Sequence, residues 1–307
     1  SAEHVVSVSL AQSMPPVTAA LYRLKAKTAP SALTPWRRFV EAGKNVDASY
    51  PAVAKEAAAV IEYTGGTTGK AKGVLLSNLS LNAVAFGYRH TENLFDFQLG
   101  EKFLCCVPPF LAVGLSVCYH MPLCLGLELI LCPDPSPAAA PKYIRKYHPN
   151  HVLAGALHID QIISDEALQK ENLSFLYTVA CGGDKKDSLW EENAARFLIE
   201  HHARHGLING YGLSEVAGSF CTTMHYSSQM LPFVRNNIMI VDSETDKELP
   251  SGSEGEVLVS GPSLMLGYWN GNLCPDEDAF CIKDGVKWLR TGDLGTITPD
   301  GYFHITG

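Results

Sequence analysis

Ile61-Glu62-Tyr63-Thr64-Gly65-Gly66-Thr67-Thr68-Gly69-Lys70-Ala71-Lys72-Gly73 is an apolar approach that breaks into a loop of glycines, hydroxyls and lysines. That composition suits a phosphate cradle. Glycines accept positive φ and let backbone N–H groups approach oxyanions, the threonines add hydroxyl donors, and Lys70 and Lys72 add charge. A nucleotide triphosphate is the predicted ligand. The loop is not a Walker A motif, because the place five before Gly69 holds Thr64 rather than Gly and Ala71 lacks a Mg²⁺-binding hydroxyl. Taken alone, the segment also fits a loop that is merely flexible.

Downstream of the loop the chain predicts a helix from Ser77 to Tyr88, then strands near 103–107, 128–132, 151–154 and 175–181 with helices between them. Strand, cradle and helix make the first unit. Such alternation predicts an α/β fold with a largely parallel sheet covered on both faces. Upstream, residues 1–60 carry a β-branched run at Val5–Leu10, a helix near Ala19–Lys27 and an Ala-rich stretch. Beyond Thr222 short alternating runs take over, at Ile238–Val241, Gly255–Ser260, Lys287–Arg290, Gly295–Thr298 and Tyr302–Ile305. They predict antiparallel β structure, with Pro299-Asp300-Gly301 as a hairpin turn in which Pro fixes φ and Gly accepts positive φ.

A chain of 307 residues buries a sizeable core in one large domain or two ordinary ones. Its 24 Lys and Arg against 32 Asp and Glu give a formal charge of −8, which offers no general attraction to nucleic acid or anionic membranes. No Asp, Glu, Lys or Arg occurs from Phe103 to Leu127, yet Pro108, Pro109 and Pro122 argue for strands, a turn and a short helix rather than a membrane span. Residues 1–10 lack the basic start and apolar core of a secretory signal. The nine cysteines contain no C-x-x-C pair, so reduced thiols and a cytoplasmic location are expected. His201 and His205 lie in a predicted helical stretch at a spacing that would share one face, which a solvated helix explains better than a metal site.

Two later stretches carry chemistry. Gly210-Tyr211-Gly212-Leu213-Ser214-Glu215 follows an apolar run and opens a predicted helix; it lacks the final Gly of a G-x-S-x-G nucleophile elbow. A ring, a hydroxyl and a carboxylate on one turn suit a base, a phosphate and Mg²⁺. Trp288-Leu289-Arg290-Thr291-Gly292-Asp293 sets a carboxylate just after a Gly turn, where it could accept from both hydroxyls of a ribose. Each stretch also reads as an ordinary turn by itself. The three in this order do not.

In that order and spacing the chain resembles the adenylate-forming superfamily of acyl- and aryl-CoA synthetases, luciferases and adenylation domains, with fatty acyl-CoA synthetases nearest. Tyr63–Gly73 is similar to its phosphate loop, Asn209–Glu215 to its adenine-and-magnesium motif, Gly255–Trp269 to its glycine-spaced barrel motif, Trp288–Asp293 to its ribose turn and Asp300–Gly307 to the segment before its hinge. The resemblance implies that Lys72 and the loop Thr64, Gly65, Gly66, Thr67, Thr68 and Gly69 hold the β- and γ-phosphates. It implies that Ser214 meets the α-phosphate and that Glu215, with Thr64, holds Mg²⁺. Tyr211, flanked by Gly210 and Gly212, would stack on adenine; Asn209 or the Gly182-Gly183-Asp184 loop would read its edge, and Asp293 would hold the ribose. Lys72, Ser214 and Glu215 are the expected catalytic groups.

The implied activity is ATP-dependent conversion of a carboxylic acid to an acyl-adenylate with release of pyrophosphate, followed by thioester formation with coenzyme A. A fatty acid is the expected substrate; an aryl or other carboxylate, or a non-catalytic nucleotide-binding role on the same fold, is the alternative. The partners are the acid, ATP and coenzyme A. Leu111 follows Phe110 where many relatives carry an aromatic or His, and where amino-acid-activating relatives carry Asp, so an amino acid is not expected. Phe110, Leu111, Val113, Leu115 and Val117 suit either an alkyl tail or ordinary core. The expected organisation is a partial first α/β subdomain over 1–98, a second over 99–222, and a small distorted antiparallel β-barrel subdomain over 223–307. Relatives continue past the hinge into a lid domain carrying a further Lys, so residues 1–307 alone are expected to be inactive.

Overall fold

The phosphate-loop stretch begins and ends on two strands that pair antiparallel. In the computed structural model, which describes residues 5–12, 14–26, 33–44, 53–64, 71–90, 95–132, 134, 136–183, 186–223, 229–270, 273–274 and 279–307, two units are distinguished, Ser1–Val53 and Ala54–Gly307. In the first, strand β1 (Val6–Ser7) pairs in parallel with β2 (Thr34–Pro35), and helices α1 (Pro16–Lys25) and α2 (Trp36–Gly43) accompany them. The β-branched run at Val5–Leu10 therefore yields only two residues of strand.

In the second unit β3 (Ala58–Thr64) runs antiparallel to β4 (Lys72–Ser77), with Thr64 opposite Lys72 and Tyr63 opposite Gly73. This corrects the strand–cradle–helix expectation. Val74, Leu75 and Leu76 are buried and form strand because β4 is paired on both edges. Helix α3 (Asn78–His90) follows at once, started by Ser77, whose Oγ accepts from Ser80 N at 3.0 Å while Ser80 Oγ accepts from Ser77 N at 3.2 Å.

Next come β5 (Lys102–Cys105), a π-helical segment Gly114–His120 running into α4 (Met121–Leu125), β6 (Glu128–Leu131), α5 (Ala140–Tyr147), β7 (His151–Ala154), α6 (Ala156–Ser164), β8 (Thr178–Gly182), α7 (Ser188–Glu200) and β9 (Leu207–Tyr211). The five strands pair in parallel in the order β6-β5-β7-β8-β9. Alternate residues feed two cores: Phe103, Cys105, Leu153 and Ile208 enter one, and Leu104, Val152, Val179 and Leu207 the other. That two-sided burial is what a parallel sheet with helices on both faces requires. The uncharged stretch 103–127 is thus strand, turn and short helix, and no described helix is long and apolar enough to cross a membrane.

The sheet then changes sense. Strand β10 (Cys221–Thr223) pairs antiparallel with β9, and the sheet continues through β11 (Met230–Pro232), β18 (Phe303–Ile305), β17 (Val286–Ile297), β13 (Gly255–Ser260) and β12 (Asn237–Val241). The runs at Lys287–Arg290 and Gly295–Thr298 fall, apart from Thr298, in the single strand β17, which spans a register shift against β13. Strand β16 (Phe280–Lys283) also pairs with β17, whereas β14 (Gly267–Trp269) leaves this sheet, takes β15 (Leu273–Cys274) on one side and lies along β4 on the other.

Two further expectations are corrected. Helix α7 ends at Glu200, and His202 takes φ 69°, so His201 and His205 do not share a helix face. His201 instead packs on Phe197 with ring centroids 4.4 Å apart. The helix expected after Gly210–Glu215 is one 3₁₀ turn, Ser214–Val216, because Ala217 and Gly218 adopt φ of 56° and 85° and turn the chain into β10.

Candidate functional site

Strand β14 crosses between two of the sequence motifs and joins them. Tyr268 lies opposite Val74, two residues beyond Lys72, so the two side chains are diagonal neighbours on one face of the pair. Lys72 Nζ sits 4.6 Å from the centroid of the Tyr268 ring. The same tyrosine donates its hydroxyl to Glu215 Oε1 at 2.8 Å, and Glu215 O accepts from Met265 N at 2.8 Å. Lys72 and Glu215 are therefore brought together through a residue that sequence reasoning did not single out. Its place in the sequence is inside the Gly255–Trp269 stretch, whose glycine spacing carries the resemblance.

Thr64 closes β3, its Oγ1 3.5 Å from Lys72 O. Gly65, Gly66, Thr67, Thr68 and Gly69, like Asp184, lie outside the described residues. Ser214 opens the 3₁₀ turn just after Gly212. A Cβ at Gly212 would come within 2.6 Å of both Gly218 O and Ser219 Cα, and one at Gly218 within 2.3 Å of Val113 N, so the turn is backbone packed on backbone.

The second cluster surrounds Tyr211 at the end of β9. Its hydroxyl donates to Asp293 Oδ2 at 2.7 Å, and its ring centroid lies 5.5 Å from that of Phe303. Burial, and then the Asp293 carboxylate, push the Tyr211 phenol well above its usual range, so it stays a neutral donor. Asp293 N in turn donates to Thr291 Oγ1 at 3.1 Å, and Thr291 Oγ1 donates to Val257 O at 2.8 Å, fixing the carboxylate's approach. Asn209 is held by its backbone: its N donates to Thr223 Oγ1 at 2.9 Å and its O accepts from Thr222 Oγ1 at 3.2 Å.

Tyr211, Asp293, Asn209, Gly182, Gly183, Gly210 and Gly212 line one cavity of about 320 Å³, with Lys186, Trp190 and Glu191 of the α7 entrance opposite. A second cavity, of about 400 Å³, shares Cys181, Gly182, Gly183, Gly210, Gly212 and Leu213 with it and adds Ser214. The rest of its wall is mostly apolar: Phe95, Cys106, Leu111, Val113 and Leu153, with Tyr88, His158, Ser219 and Thr222 as polar exceptions. Of the five residues weighed for a tail, Leu111 and Val113 line it, Val117 is in the core and Phe110 is 70% exposed.

These residues fit a nucleotide. Bare glycine backbone next to a half-buried tyrosine and a carboxylate can accept a base and a sugar, and volumes of this size are those of small-molecule sites. For Mg²⁺ the described residues supply Glu215 but no cluster of three or more His, Cys, Asp or Glu. One carboxylate is compatible with Mg²⁺, which takes its remaining ligands from water and substrate phosphates.

The family described as "AMP-binding enzyme" matches residues 3–269. A long-chain-fatty-acid–CoA ligase of Bacillus subtilis is 32% identical over 257 residues, covering 80% of this chain and 43% of its own length. A feruloyl-CoA synthase of an Amycolatopsis species is 28% identical, covering 80% of this chain and 48% of its own length. The chain thus spans about half the length of these curated relatives. The crystal structure of the N-terminal domain of FACL13 from Mycobacterium tuberculosis superposes with a TM-score of 0.72 at 18% identity, over 100% of this chain and 74% of that one.

Proposed function

Because this chain belongs to the AMP-binding enzyme family, related to AMP-forming acid–CoA ligases, we propose that its protein joins a carboxylic acid to AMP and then to a thiol. In the first step a carboxylate oxygen attacks the α-phosphorus of ATP and the bond to pyrophosphate breaks. In the second the sulfur of coenzyme A attacks the acyl carbon, its proton goes to solvent, and AMP leaves.

The observation that carries this reading is the pair of cavities sharing a wall at Gly182, Gly183, Gly210 and Gly212. An adenosine on the Tyr211–Asp293 side and an acid on the apolar side would meet where Ser214 begins its turn. The nucleophile comes from the substrate, so the protein's work is orientation and charge neutralisation. Tyr211 would flank the base, Asn209 and the Gly182–Asp184 loop would read its edge, and Asp293 would accept from the ribose. Lys72, the loop Thr64–Gly69 and Ser214 would hold the phosphates. Mg²⁺ on Glu215, with Thr64, would neutralise phosphate charge when bound. In this reading the protein is cytoplasmic.

Among the described lining residues the acid cavity has no Lys, Arg, Asp or Glu, which favours an acid with an uncharged tail, and a fatty acid first. The Tyr88 and Phe95 rings on its wall favour an aryl acid as the second reading. A panel of aliphatic and aryl acids given to the intact protein with ATP, Mg²⁺ and coenzyme A, read as pyrophosphate release, decides between them. Release with none of the acids would refute the activity and leave a nucleotide-binding role.

A further inference from the structure

We infer that the acid taken by this protein carries a hydrogen-bond-accepting oxygen on its tail, recognised by the paired hydroxyls of Tyr88 and Ser219. The inference rests on the acid-activation reading and names the acid more narrowly. Tyr88, on α3, and Ser219, just before β10, are 5% and 3% exposed, and both line the apolar cavity. Neither lines the nucleotide cavity, so both are available only to the acid.

Their oxygens are 3.1 Å apart. Two hydroxyls bring two hydrogens, and one bond between them uses one. Among the described residues this is the side-chain hydrogen bond that each makes, which leaves one hydrogen to be directed elsewhere, in a mostly apolar wall that includes Phe95, Cys106 and Leu153 and whose other polar side chains are His158, Ser214 and Thr222. The phenol cannot swing away from the wall, because its ring is held between Phe95 and Phe233 at centroid distances of 5.0 and 4.7 Å. Burial raises the phenol's pKa, so it remains protonated and able to donate. An acid with a hydroxyl, phenolic or keto oxygen at that depth would complete the pair, whereas a plain hydrocarbon tail would leave a buried donor unmet.

The test is calorimetric binding of matched acids to the intact protein in the presence of AMP: decanoic acid against its ω-hydroxy derivative, and cinnamic against para-hydroxycinnamic acid. The two pairs separate an alkyl from an aryl source of the oxygen. The expected result is a preference of at least about tenfold for the oxygenated member of one pair, falling to about one in the double variant Tyr88→Phe/Ser219→Ala, since either hydroxyl left alone can still donate. Equal affinity within both pairs, no binding of any of the four acids, or a preference that the double variant retains, overturns the inference. Pyrophosphate release is measured in parallel: its absence with every acid counts against the activation reading alone, since the binding ratios need no turnover.

Discussion

The Tyr268 hydroxyl donates to Glu215 Oε1 at 2.8 Å while its ring lies beneath the Lys72 ammonium, 4.6 Å from the centroid. One side chain thus touches both the cation and the carboxylate proposed to meet ATP phosphates and Mg²⁺. Sequence separation hides this: the three residues come from β4, the 3₁₀ turn and β14. Their meeting depends on β14 leaving the large sheet to pair with β4.

Tyr268→Phe keeps the ring under Lys72 and removes the hydrogen bond to Glu215. Loss of a bond to a charged acceptor, about 1.5–3 kcal/mol, should lower kcat/KM for pyrophosphate release roughly tenfold or more. Glu215→Ala should cost at least about a hundredfold, as removal of a charge-stabilising group does. Near wild-type rates in Glu215→Ala would remove that residue from the chemistry.

Lys72→Met should raise KM for ATP more than it lowers kcat if the ammonium contacts phosphates in both ground and transition states. The variant should also flatten the salt dependence of ATP binding, because one charge has left the site. An unchanged salt slope, measured by titration from low to moderate ionic strength, argues against a phosphate contact.

Asp293→Ala should weaken ATP binding by about 1.5–3 kcal/mol, and the difference between ATP and 2′-deoxy-ATP should shrink in parallel. Tyr211→Phe, which takes away the donor 2.7 Å from Asp293 Oδ2, should change the same ratio less. If Asp293→Ala still discriminates the two nucleotides as wild type does, the ribose is held by another group.

Gly212→Ala should destabilise the fold by about 1–3 kcal/mol, the usual cost of overpacking, since the new methyl would meet Gly218 O and Ser219 Cα at 2.6 Å. The midpoint of urea unfolding reports this directly. A stable, fully active variant would mean that the turn shifts easily, and with it the wall between the two cavities.

His151, on the central strand β7, is 2% exposed, and its Nε2 lies 2.9 Å from Glu101 Oε2. Burial lowers its pKa below the usual 6.5, with Arg204 adding to the effect and Glu101 opposing it. The unfolded chain therefore takes up this proton at higher pH than the folded one, so stability is full above about pH 6.5 and falls as pH drops towards the folded-state value. Urea midpoints at pH 7.5 and 5.5 should differ less in His151→Gln than in wild type. An equal difference would assign the acid sensitivity to other groups.

Much of the fold was legible from local pattern. The strands at 128–131 and 151–154 fall within a residue of where their apolar runs predict them, and the change from parallel to antiparallel structure after Thr222 follows the change in periodicity. The hairpin strand β4 was not legible, because Val74–Leu76 is a short apolar run that fits a strand or a buried helical turn equally. Nor was the end of α7. His202 in the left-handed region breaks the helix, and a histidine does not announce that conformation as a glycine would.

For this chain the sequence alone determined the candidates for chemistry: glycines where backbone must approach closely, and Tyr211, Glu215, Asp293 and Lys72 as polar groups on turns and strand ends. Only the tertiary structure decided which of them meet. Tyr211 reaches Asp293 and Tyr268 joins Lys72 to Glu215 because sheet pairing sets residues from distant segments side by side. Such contacts depend on register and crossing, and no local stretch of residue types encodes them.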